Sequence, residues 1–220
     1  MCCGSGASAI PAAQAVGPTG SVTGVDLAEN LLELARTKAS HHGLTNVQFE
    51  SGDMTALRFA NDSFDAVVCV FGIFFVPEME VALRELKRVL RPSGLIAITT
   101  WGPRLFEPVN TAFWNAVREV KPELYKGFNP WDRICNEDAL RSLLAEGGFK
   151  RIEVLAEAGS QAIDKPEDWW AMILGSGYRG TVEQLTDVER DGIKNANFAF
   201  IIQSKIESVE TNVLYGTALK

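Results

Sequence analysis

The 220-residue sequence predicts an α/β fold, in which a doubly wound, mostly parallel sheet carries helices on both faces. Up to Trp101, short apolar runs typical of strands alternate strictly with segments of helical spacing, and this alternation is characteristic of parallel sheets. Near the C-terminus, residues 208–217 alternate in polarity well enough to predict one last strand.

The first elements surround a glycine-rich loop. Residues 4–17 begin Gly-rich and continue Ala-rich, as in a tight loop that leads into a short helix. Residues 20–25 form a β-prone run that ends in Asp26, and residues 28–41 have the spacing of an amphipathic helix. A short strand is predicted at residues 46–50, so the opening segment already contains two strand–helix alternations.

The central elements are more apolar. Residues 63–72 form a nearly continuous apolar run, which predicts a strand buried on both faces. Pro77 is expected to open the next helix, because proline is favoured in the first helical turn. We interpret residues 91–94 (Arg-Pro-Ser-Gly) as a turn that leads into a strand at residues 95–100.

The second half of the chain does not continue the alternation of strands and helices. Residues 102–135 are rich in proline and aromatic residues, and we interpret them as a lid or insertion. A helix at 136–146 and a strand at 150–157 follow, and residues 160–206 are expected to form a helical cover on the acceptor side. We therefore predict a single domain over residues 1–220, to which the insertion and the cover belong.

Composition excludes several functional classes. The chain has 21 basic and 28 acidic residues, a net charge of −7, which argues against a nucleic-acid partner. Its longest apolar run, residues 66–76, is too short to span a bilayer, so we expect no membrane span. The four cysteines show no C-x-x-C spacing, which favours reduced thiols, a cytoplasmic location and no metal site.

Three features follow the carboxyl ends of predicted strands, where open α/β sheets bind ligands. The loop of residues 3–6 (Cys-Gly-Ser-Gly) allows close backbone approach and leads into a helix N-terminus that offers free N–H groups. Asp26 is placed to accept hydrogen bonds from ribose hydroxyls, and Asp53 from an adenine amine, with Met54 packed on the ring. The Gly-x-Gly loop alone is weak evidence for a cofactor site, but the three features together predict a nucleoside-containing cofactor.

Five motifs occur in a fixed order, and as an ordered set they resemble one family. They are Cys-Cys-Gly-Ser-Gly at 2–6, Gly-Val-Asp-Leu at 24–27, Gly-Asp-Met at 52–54, Phe-Asp-Ala-Val-Val at 64–68 and Leu-Arg-Pro-Ser-Gly-Leu at 90–95. The set resembles class I S-adenosylmethionine-dependent methyltransferases, in the small-molecule branch that includes the ubiquinone- and menaquinone-biosynthesis enzymes. This resemblance covers about residues 2–101 and implies a Rossmann-like fold with an antiparallel C-terminal strand.

The resemblance also implies a function and a set of binding residues. The cofactor is S-adenosyl-L-methionine, and its methyl group passes to oxygen, nitrogen or carbon of a small acceptor, either aromatic or lipid-like. No catalytic residue is assigned, because the sulfonium methyl is already activated and the protein mainly has to align the acceptor with it. The residues expected to bind the cofactor are Cys3, Gly4, Ser5, Gly6, Asp26, Leu27, Asp53, Met54, Phe71 and Gly72.

One element of the family pattern is not found. The family's first strand, which ends in an acidic residue, would have to precede Cys2, so we expect that strand to be missing. Either the chain begins late or another segment fills the gap, and we favour truncation. The gap would leave residues 67–70 on an unpaired central edge, which invites pairing with a second copy as a homodimer.

Two alternative functions remain open at this stage. The Gly-x-Gly-x-x-Ala loop at Gly4 and the acid at Asp26 also suit an NAD(P)-binding oxidoreductase, although the sequence has no Tyr-x-x-x-Lys constellation. Alternatively, a truncated chain could be a dimerising module without catalytic turnover.

Three further groups of side chains have a functional and a structural interpretation. Aromatic residues of the second half could line an acceptor pocket or simply pack; they are Trp101, Phe106, Phe113, Trp114, Trp131, Trp169, Trp170 and Tyr178. Arg104, Arg133 and Arg179 could clamp an acidic acceptor or be ordinary surface residues. Cys2 and Cys3 could form a reactive thiolate site, although their spacing from Cys69 gives no support for convergence.

Overall fold

The computed structural model describes residues 1–220. The chain divides into two compact units. The first comprises Met1–Trp101, Arg133–Ala156 and Leu214–Lys220, and the second comprises Gly102–Asp132 and Glu157–Val213. The second unit thus combines most of the residues interpreted as an insertion and as a helical cover. The assignment of residues 1–220 to one domain stays a prediction.

Eight strands form three sheets. Strands β1 and β2 are parallel to each other, and β3, β4, β8 and β5 form a four-stranded sheet in that order, with β3 and β4 parallel. Strands β6 and β7 form a small antiparallel pair. The strands are β1 Val22–Asp26, β2 Val47–Ser51, β3 Phe64–Val70, β4 Leu90–Trp101, β5 Lys150–Glu157, β6 Ser160–Ala162, β7 Ser208–Glu210 and β8 Val213–Leu219.

Eight α-helices connect these strands. The helices are α1 Ala9–Val16, α2 Glu29–His41, α3 Met79–Val89, α4 Val109–Val120, α5 Glu137–Glu146, α6 Pro166–Leu174, α7 Arg179–Val182 and α8 Asp187–Gln203. Helix α8 begins with the capping box that Thr186 and Glu189 form, in which the Thr186 side chain accepts from the Glu189 N–H. None of the helices is long and apolar enough to cross a membrane.

The predicted fold class is confirmed. The central sheet is mostly parallel with one antiparallel strand, and helices alternate with strands through the first half of the chain. Helices α1 and α2 pack against the β1–β2 pair, where Leu32 and Ala35 are fully buried and Phe49 nearly so. Helix α3 buries Leu83 and Leu86 completely, and burial of each such leucine contributes about 1.5–3 kcal/mol.

The β1–β2 pair and the four-stranded sheet share no hydrogen-bonded ladder. The first residues of the chain contact both. The amino group of Met1 donates to the Val68 carbonyl at 2.7 Å, and the Cys3 N–H donates to the Val25 carbonyl at 3.1 Å. No strand therefore pairs with both β1 and β3.

The prediction that residues 63–72 are buried on both faces is wrong. Within β3, Val67 and Cys69 are buried at 6% and 0% exposure, whereas Val68 is 39% exposed. Side chains of a strand alternate between the two faces, so only one face of β3 lies against the core. An apolar run does not reveal whether both of its faces are covered.

The start of β4 also differs from the prediction. Residues 91–94 are not a turn ahead of a strand, because β4 already begins at Leu90. Its pairing with β3 jumps from Phe64–Leu90 to Ala66–Leu95, so the Pro-containing segment is an irregularity within the strand.

The predicted strand at 208–217 is two strands, β7 and β8, in different sheets. Asn212 lies between the two strands and accepts two hydrogen bonds there. Its carbonyl accepts from the Gly102 N–H at 2.7 Å, and its side-chain oxygen accepts from the Gly159 N–H at 3.1 Å. The alternation of polarity continues through this break, so the pattern alone does not reveal it.

The second unit has a buried polar link between two of its helices. The indole N–H of Trp169 in α6 donates to Asn197 Oδ1 in α8 at 2.8 Å, and Asn197 Nδ2 donates to the Ile193 carbonyl at 2.9 Å. Both side chains are fully buried. Removing the amide would leave the indole N–H buried without an acceptor, which costs about 1–3 kcal/mol.

We therefore expect Asn197→Ala to lower the free energy of unfolding by about 1–3 kcal/mol, measured by urea denaturation. Asn195→Ala is the matched control, since Asn195 lies on the same helix but is exposed, and it should change stability by less than about 0.5 kcal/mol. Equal effects of the two substitutions would contradict a stabilising role for the Trp169–Asn197 link.

Candidate cofactor-binding site

The glycine-rich loop follows the backbone conformation that its glycines allow. Gly4 and Gly6 have φ values of +49° and +88°, in the left-handed region that favours glycine. A Cβ at Gly6 would lie 2.9 Å from Ile10 Cδ1. The Gly6 N–H donates to the Cys3 carbonyl at 2.9 Å, which closes the loop just before α1.

Asp26 holds this loop through its side chain. Its Oδ2 accepts from the Gly4 N–H at 2.8 Å, and its Oδ1 accepts from the Ala28 N–H at 3.0 Å. Each carboxylate oxygen has a second lone pair, so the group can still accept two more hydrogen bonds. The acid at the end of β1 therefore fixes the loop and keeps acceptor capacity for a ligand.

Asp53 follows the end of β2, and the two strand ends are joined. The Gly52 N–H donates to the Asp26 carbonyl at 3.1 Å, which brings Asp53 to the same edge as Asp26. Asp53 Oδ1 accepts from the Thr55 N–H at 2.8 Å and from its hydroxyl at 2.7 Å. These hydrogen bonds hold the pKa of the Asp53 carboxyl below its usual range, and the bond from the Thr55 backbone has the larger effect. The other carboxylate oxygen, Oδ2, has no partner.

Apolar side chains accompany both acids. Leu27, next to Asp26, is 71% exposed. Met54, next to Asp53, is 5% exposed and belongs to the core. The edge of the β1–β2 pair thus combines two carboxylates with one exposed apolar side chain and one buried one.

Ser5 has a partner that sequence analysis does not reveal. The ammonium group of Lys38 donates to Ser5 Oγ at 2.9 Å from the last turn of α2. The two residues are far apart in sequence, and the rotation of α2 about its axis decides whether Lys38 reaches the loop. No local motif encodes that rotation, so the sequence alone does not predict Lys38 as a residue of this loop.

Phe71 and Gly72 follow β3 in a constrained conformation. Phe71 has a φ of +49°, and its ring stacks on that of Trp101 with centroids 4.1 Å apart. Its N–H donates to the Thr99 carbonyl at 2.9 Å. A Cβ at Gly72 would lie 2.4 Å from Cys2 Cβ, so glycine is needed for Cys2 to pack there.

The structure brings together two cysteines that sequence spacing did not connect. The thiol of Cys2 lies beside that of Cys69, and a Cβ on Gly72 would be 3.0 Å and 3.1 Å from the two sulfurs. The hydrogen bond with Cys69, and then burial, raise the pKa of Cys2 far above that of a free thiol. Burial raises the pKa of Cys3 to about 11.

These pKa directions bear on the thiolate hypothesis. Only the thiolate form is a good nucleophile or metal ligand, and the hydrogen bond that raises the pKa of Cys2 lowers that of Cys69. The reactive-thiolate interpretation of Cys2 and Cys3 stays a prediction. Cys3 itself is 3% exposed and packs in the core beside α1 and α2.

The remaining candidates are largely engaged in packing or ion pairs. Each of the three arginines is paired with a glutamate: Arg104 with Glu210, Arg133 with Glu80 and Arg179 with Glu183. Among the aromatic residues, Trp101 lies in the first unit, and the other seven lie in the second. Each of the three guanidinium groups is thus held by a carboxylate of its own unit.

Comparisons with known proteins agree with this geometry. A model of the methyltransferase domain family matches residues 1–94. A demethylmenaquinone methyltransferase of Staphylococcus aureus (strain JH9) is 34% identical over 173 residues, which cover 74% of this chain and 71% of that protein.

Solved structures show the same fold. The YcgJ protein of Bacillus subtilis has a TM-score of 0.61 at 19% identity, over 100% of this chain and 89% of that one. Phosphoethanolamine N-methyltransferase 2 of Haemonchus contortus, solved with phosphomonomethylethanolamine and S-adenosylhomocysteine, has a TM-score of 0.58 at 19% identity. That match covers 100% of this chain and 47% of the other.

The mostly parallel sheet with one antiparallel strand defines a Rossmann-like fold. The chain belongs to the class I S-adenosylmethionine-dependent methyltransferases, in the branch of the menaquinone and ubiquinone enzymes. It is an enzyme that transfers a methyl group from S-adenosyl-L-methionine to a small-molecule acceptor.

The turn at Asp53 yields a pH prediction. Thr55→Val removes the hydroxyl donor but keeps the backbone N–H, so the pKa of Asp53 should rise toward its usual range without reaching it. A pH titration followed by carboxyl ¹³C NMR measures this shift. Thr19→Val, at an exposed threonine without a hydrogen bond, should leave Asp53 unchanged. An unshifted Asp53 in Thr55→Val would contradict the observed turn.

Proposed function

We propose that the edge formed by the glycine loop and the ends of β1, β2 and β3 holds S-adenosylmethionine. The residues proposed to bind the cofactor are Cys3, Gly4, Ser5, Gly6, Asp26, Leu27, Asp53, Met54, Phe71 and Gly72. One observation carries the proposal: the Asp26 carboxylate already accepts from the loop at Gly4 and still has free lone pairs.

The residues at this edge fit the parts of the cofactor. Two carboxylate oxygens of Asp26 match a pair of neighbouring ribose hydroxyls, each of which needs an acceptor. The free Oδ2 of Asp53 suits the exocyclic amine of adenine, and the exposed Leu27 side chain suits the face of an aromatic ring. The positive φ values of Gly4 and Gly6 leave that backbone open to a close neighbour.

The protein's own contribution to the chemistry is alignment. When bound, the cofactor supplies an electrophilic methyl group on a positively charged sulfur. Holding two reactants in line at the right distance is worth about 7–11 kcal/mol, so residues that only position them suffice. We propose Phe71 for the place beside the sulfur, because its ring is fixed against Trp101 and aromatic faces attract cations.

For the acceptor, we propose an aromatic or lipid-like small molecule. The relative named demethylmenaquinone methyltransferase supports this class. The net charge of −7 supports a small molecule over a nucleic acid, whose phosphates such a chain would repel.

We also propose a cytoplasmic location and a homodimer. All four cysteines are free thiols, which supports a reducing compartment. The lack of a shared ladder between β1 and β3 supports self-association, since unpaired strand edges are templates for pairing. Light scattering coupled to size-exclusion chromatography measures the oligomeric state, and a monomer at all concentrations would contradict the dimer.

Calorimetric titration with S-adenosylhomocysteine tests the cofactor site. We expect binding by the wild type and a loss of about tenfold or more in Asp26→Asn, because a hydrogen bond to a charged group contributes about 1.5–3 kcal/mol. Asp65→Asn is the matched control. Asp65 is an exposed acid at the opposite end of β3, paired only with Arg91, so its substitution should leave the affinity within twofold.

Two results would overturn the proposed site. The first is unchanged affinity in Asp26→Asn while far-ultraviolet circular dichroism shows an intact fold. The second is binding of NADH, followed by its fluorescence, in a protein that does not bind S-adenosylhomocysteine. That second result would favour the oxidoreductase alternative, for which the glycine loop and Asp26 are equally suitable.

A further inference from the structure

Two of the four cysteines form a pair within the first unit. If Gly72 carried a Cβ, that atom would lie 3.0 Å from the sulfur of Cys2 and 3.1 Å from the sulfur of Cys69. The two sulfurs therefore border the same small space, and a hydrogen bond joins their thiols. The proposed cofactor site uses neither thiol, so the pair needs an explanation of its own.

The position of Cys2 is fixed by the residues on both sides of it. The amino group of Met1 donates to the Val68 carbonyl in β3, and the Cys3 N–H donates to the Val25 carbonyl in β1. Between these two anchors, Cys2 has a φ of +50°, a backbone conformation that a residue other than glycine keeps only where its surroundings enforce it. Cys2 is thus held between the β1–β2 pair and the four-stranded sheet.

The neighbouring Cys3 is oriented differently. A Cβ on Gly24 in β1 would lie 3.0 Å from the Cys3 sulfur, and the Cys3 thiol donates to the Gly4 carbonyl at 3.8 Å. Cys3 is also only 3% exposed. Of the two adjacent cysteines, Cys2 therefore borders Cys69, whereas Cys3 borders β1.

The two paired thiols differ in burial and in acidity. Cys69 is fully buried in β3, whereas Cys2 is partly exposed. The hydrogen bond that Cys2 donates lowers the pKa of Cys69, against the opposite effect of burial, and it raises the pKa of Cys2. Cys69 is therefore the member of the pair that loses its proton first, and Cys2 is the member nearer to solvent.

We propose that Cys2 and Cys69 are an oxidation site, at which hydrogen peroxide converts the two thiols into an intramolecular disulfide. This bond would link the start of the glycine loop covalently to β3. It would thereby connect the β1–β2 pair to the four-stranded sheet, with which that pair shares no hydrogen-bonded ladder. The modification is independent of methyl transfer and goes beyond the proposed function.

The oxidation passes through a sulfenic acid on Cys2. The Cys2 sulfur attacks one oxygen of the peroxide and the O–O bond breaks, while the Cys2 proton passes to the Cys69 thiolate. The hydroxide that leaves takes this proton from Cys69 and becomes water. The Cys69 thiolate then attacks the Cys2 sulfur, the S–O bond breaks, and the second hydroxide takes up the proton that Cys69 first released to solvent. Two thiols and one peroxide thus give one disulfide and two waters.

Gly72 leaves the room that this bond requires. A disulfide holds its sulfurs about 2.05 Å apart and its Cβ atoms about 3.5–4.5 Å apart. Cys69 lies within a paired strand, opposite Ile98 of β4, so the approach has to come from Cys2. The path crosses the space that a side chain at position 72 would fill.

Peptide mapping by mass spectrometry tests this site. The protein is treated with hydrogen peroxide, its remaining thiols are alkylated, and it is digested with trypsin in the absence of a reductant. We expect a cross-linked pair of peptides, residues 1–36 and residues 59–84, which dithiothreitol separates. Fragmentation of the first peptide should place the bond on Cys2 and leave Cys3 alkylated.

Single substitutions provide the variants and the control. Cys2→Ser should abolish the cross-linked pair of peptides, because one of its two sulfurs is gone, and Cys69→Ala should abolish it independently. Cys135→Ser is the matched control, since Cys135 is also a partly exposed free thiol but belongs to another segment of the first unit. It should leave the yield of the cross-linked peptides unchanged. Circular dichroism confirms that each variant is folded.

Thermal unfolding gives a second measurement. A disulfide that closes a long loop constrains the unfolded chain, so oxidation should raise the midpoint of unfolding by at least about 4 °C in the wild type. Cys135→Ser should show the same rise, and Cys2→Ser should show none.

Three results would overturn this inference. They are a wild type that forms no more of the cross-linked peptides than Cys2→Ser does, a bond located at Cys3 or Cys135, and oxidation of Cys2 to a sulfinic acid while Cys69 is alkylated. None of these measurements involves the cofactor, so each result leaves the proposed cofactor site to its own titration.

Discussion

The contact between the Asp26 carboxylate and the Gly4 N–H is the interaction on which the edge formed by the glycine loop and the ends of β1 and β2 depends. It ties the glycine loop to the end of β1, while the Gly52 N–H ties the end of β2 to the Asp26 carbonyl. Three chain segments that are distant in sequence are thereby fixed at one edge by a single residue's polar atoms. An amide at this position has a single acceptor oxygen, so it could not accept one contact on each of two oxygens.

The two carboxylates at this edge find their hydrogen-bond donors in nearby parts of the chain. Asp26 accepts from two backbone N–H groups, and Asp53 accepts from a third and from a hydroxyl. Backbone N–H groups thus supply most of these hydrogen bonds, and neither carboxylate forms an ion pair with a basic side chain. The one ammonium group at the loop, that of Lys38, contacts Ser5 instead.

Most elements of the first unit can be predicted from the sequence, because the patterns that indicate them are local. The acids at Asp26 and Asp53, the loop of residues 3–6 and the helix at 137–146 follow from spacing, turn chemistry and caps. Three features cannot be predicted from the sequence, because they depend on long-range geometry. They are the uncovered face of β3, the break at Asn212 and the contact between Cys2 and Cys69. A period-2 pattern specifies alternation, but it specifies neither the neighbouring layer nor the partner strand.

The separation of the β1–β2 pair from the four-stranded sheet has a consequence for how the first unit opens. Without a common ladder, each piece can lose its amide protection independently, as a separate cooperative unit. Asp26 and Asp53 lie on one piece, and Phe71 and Gly72 on the other. A ligand that contacts both pieces therefore raises the cost of opening either one, so occupancy converts two local folding units into one.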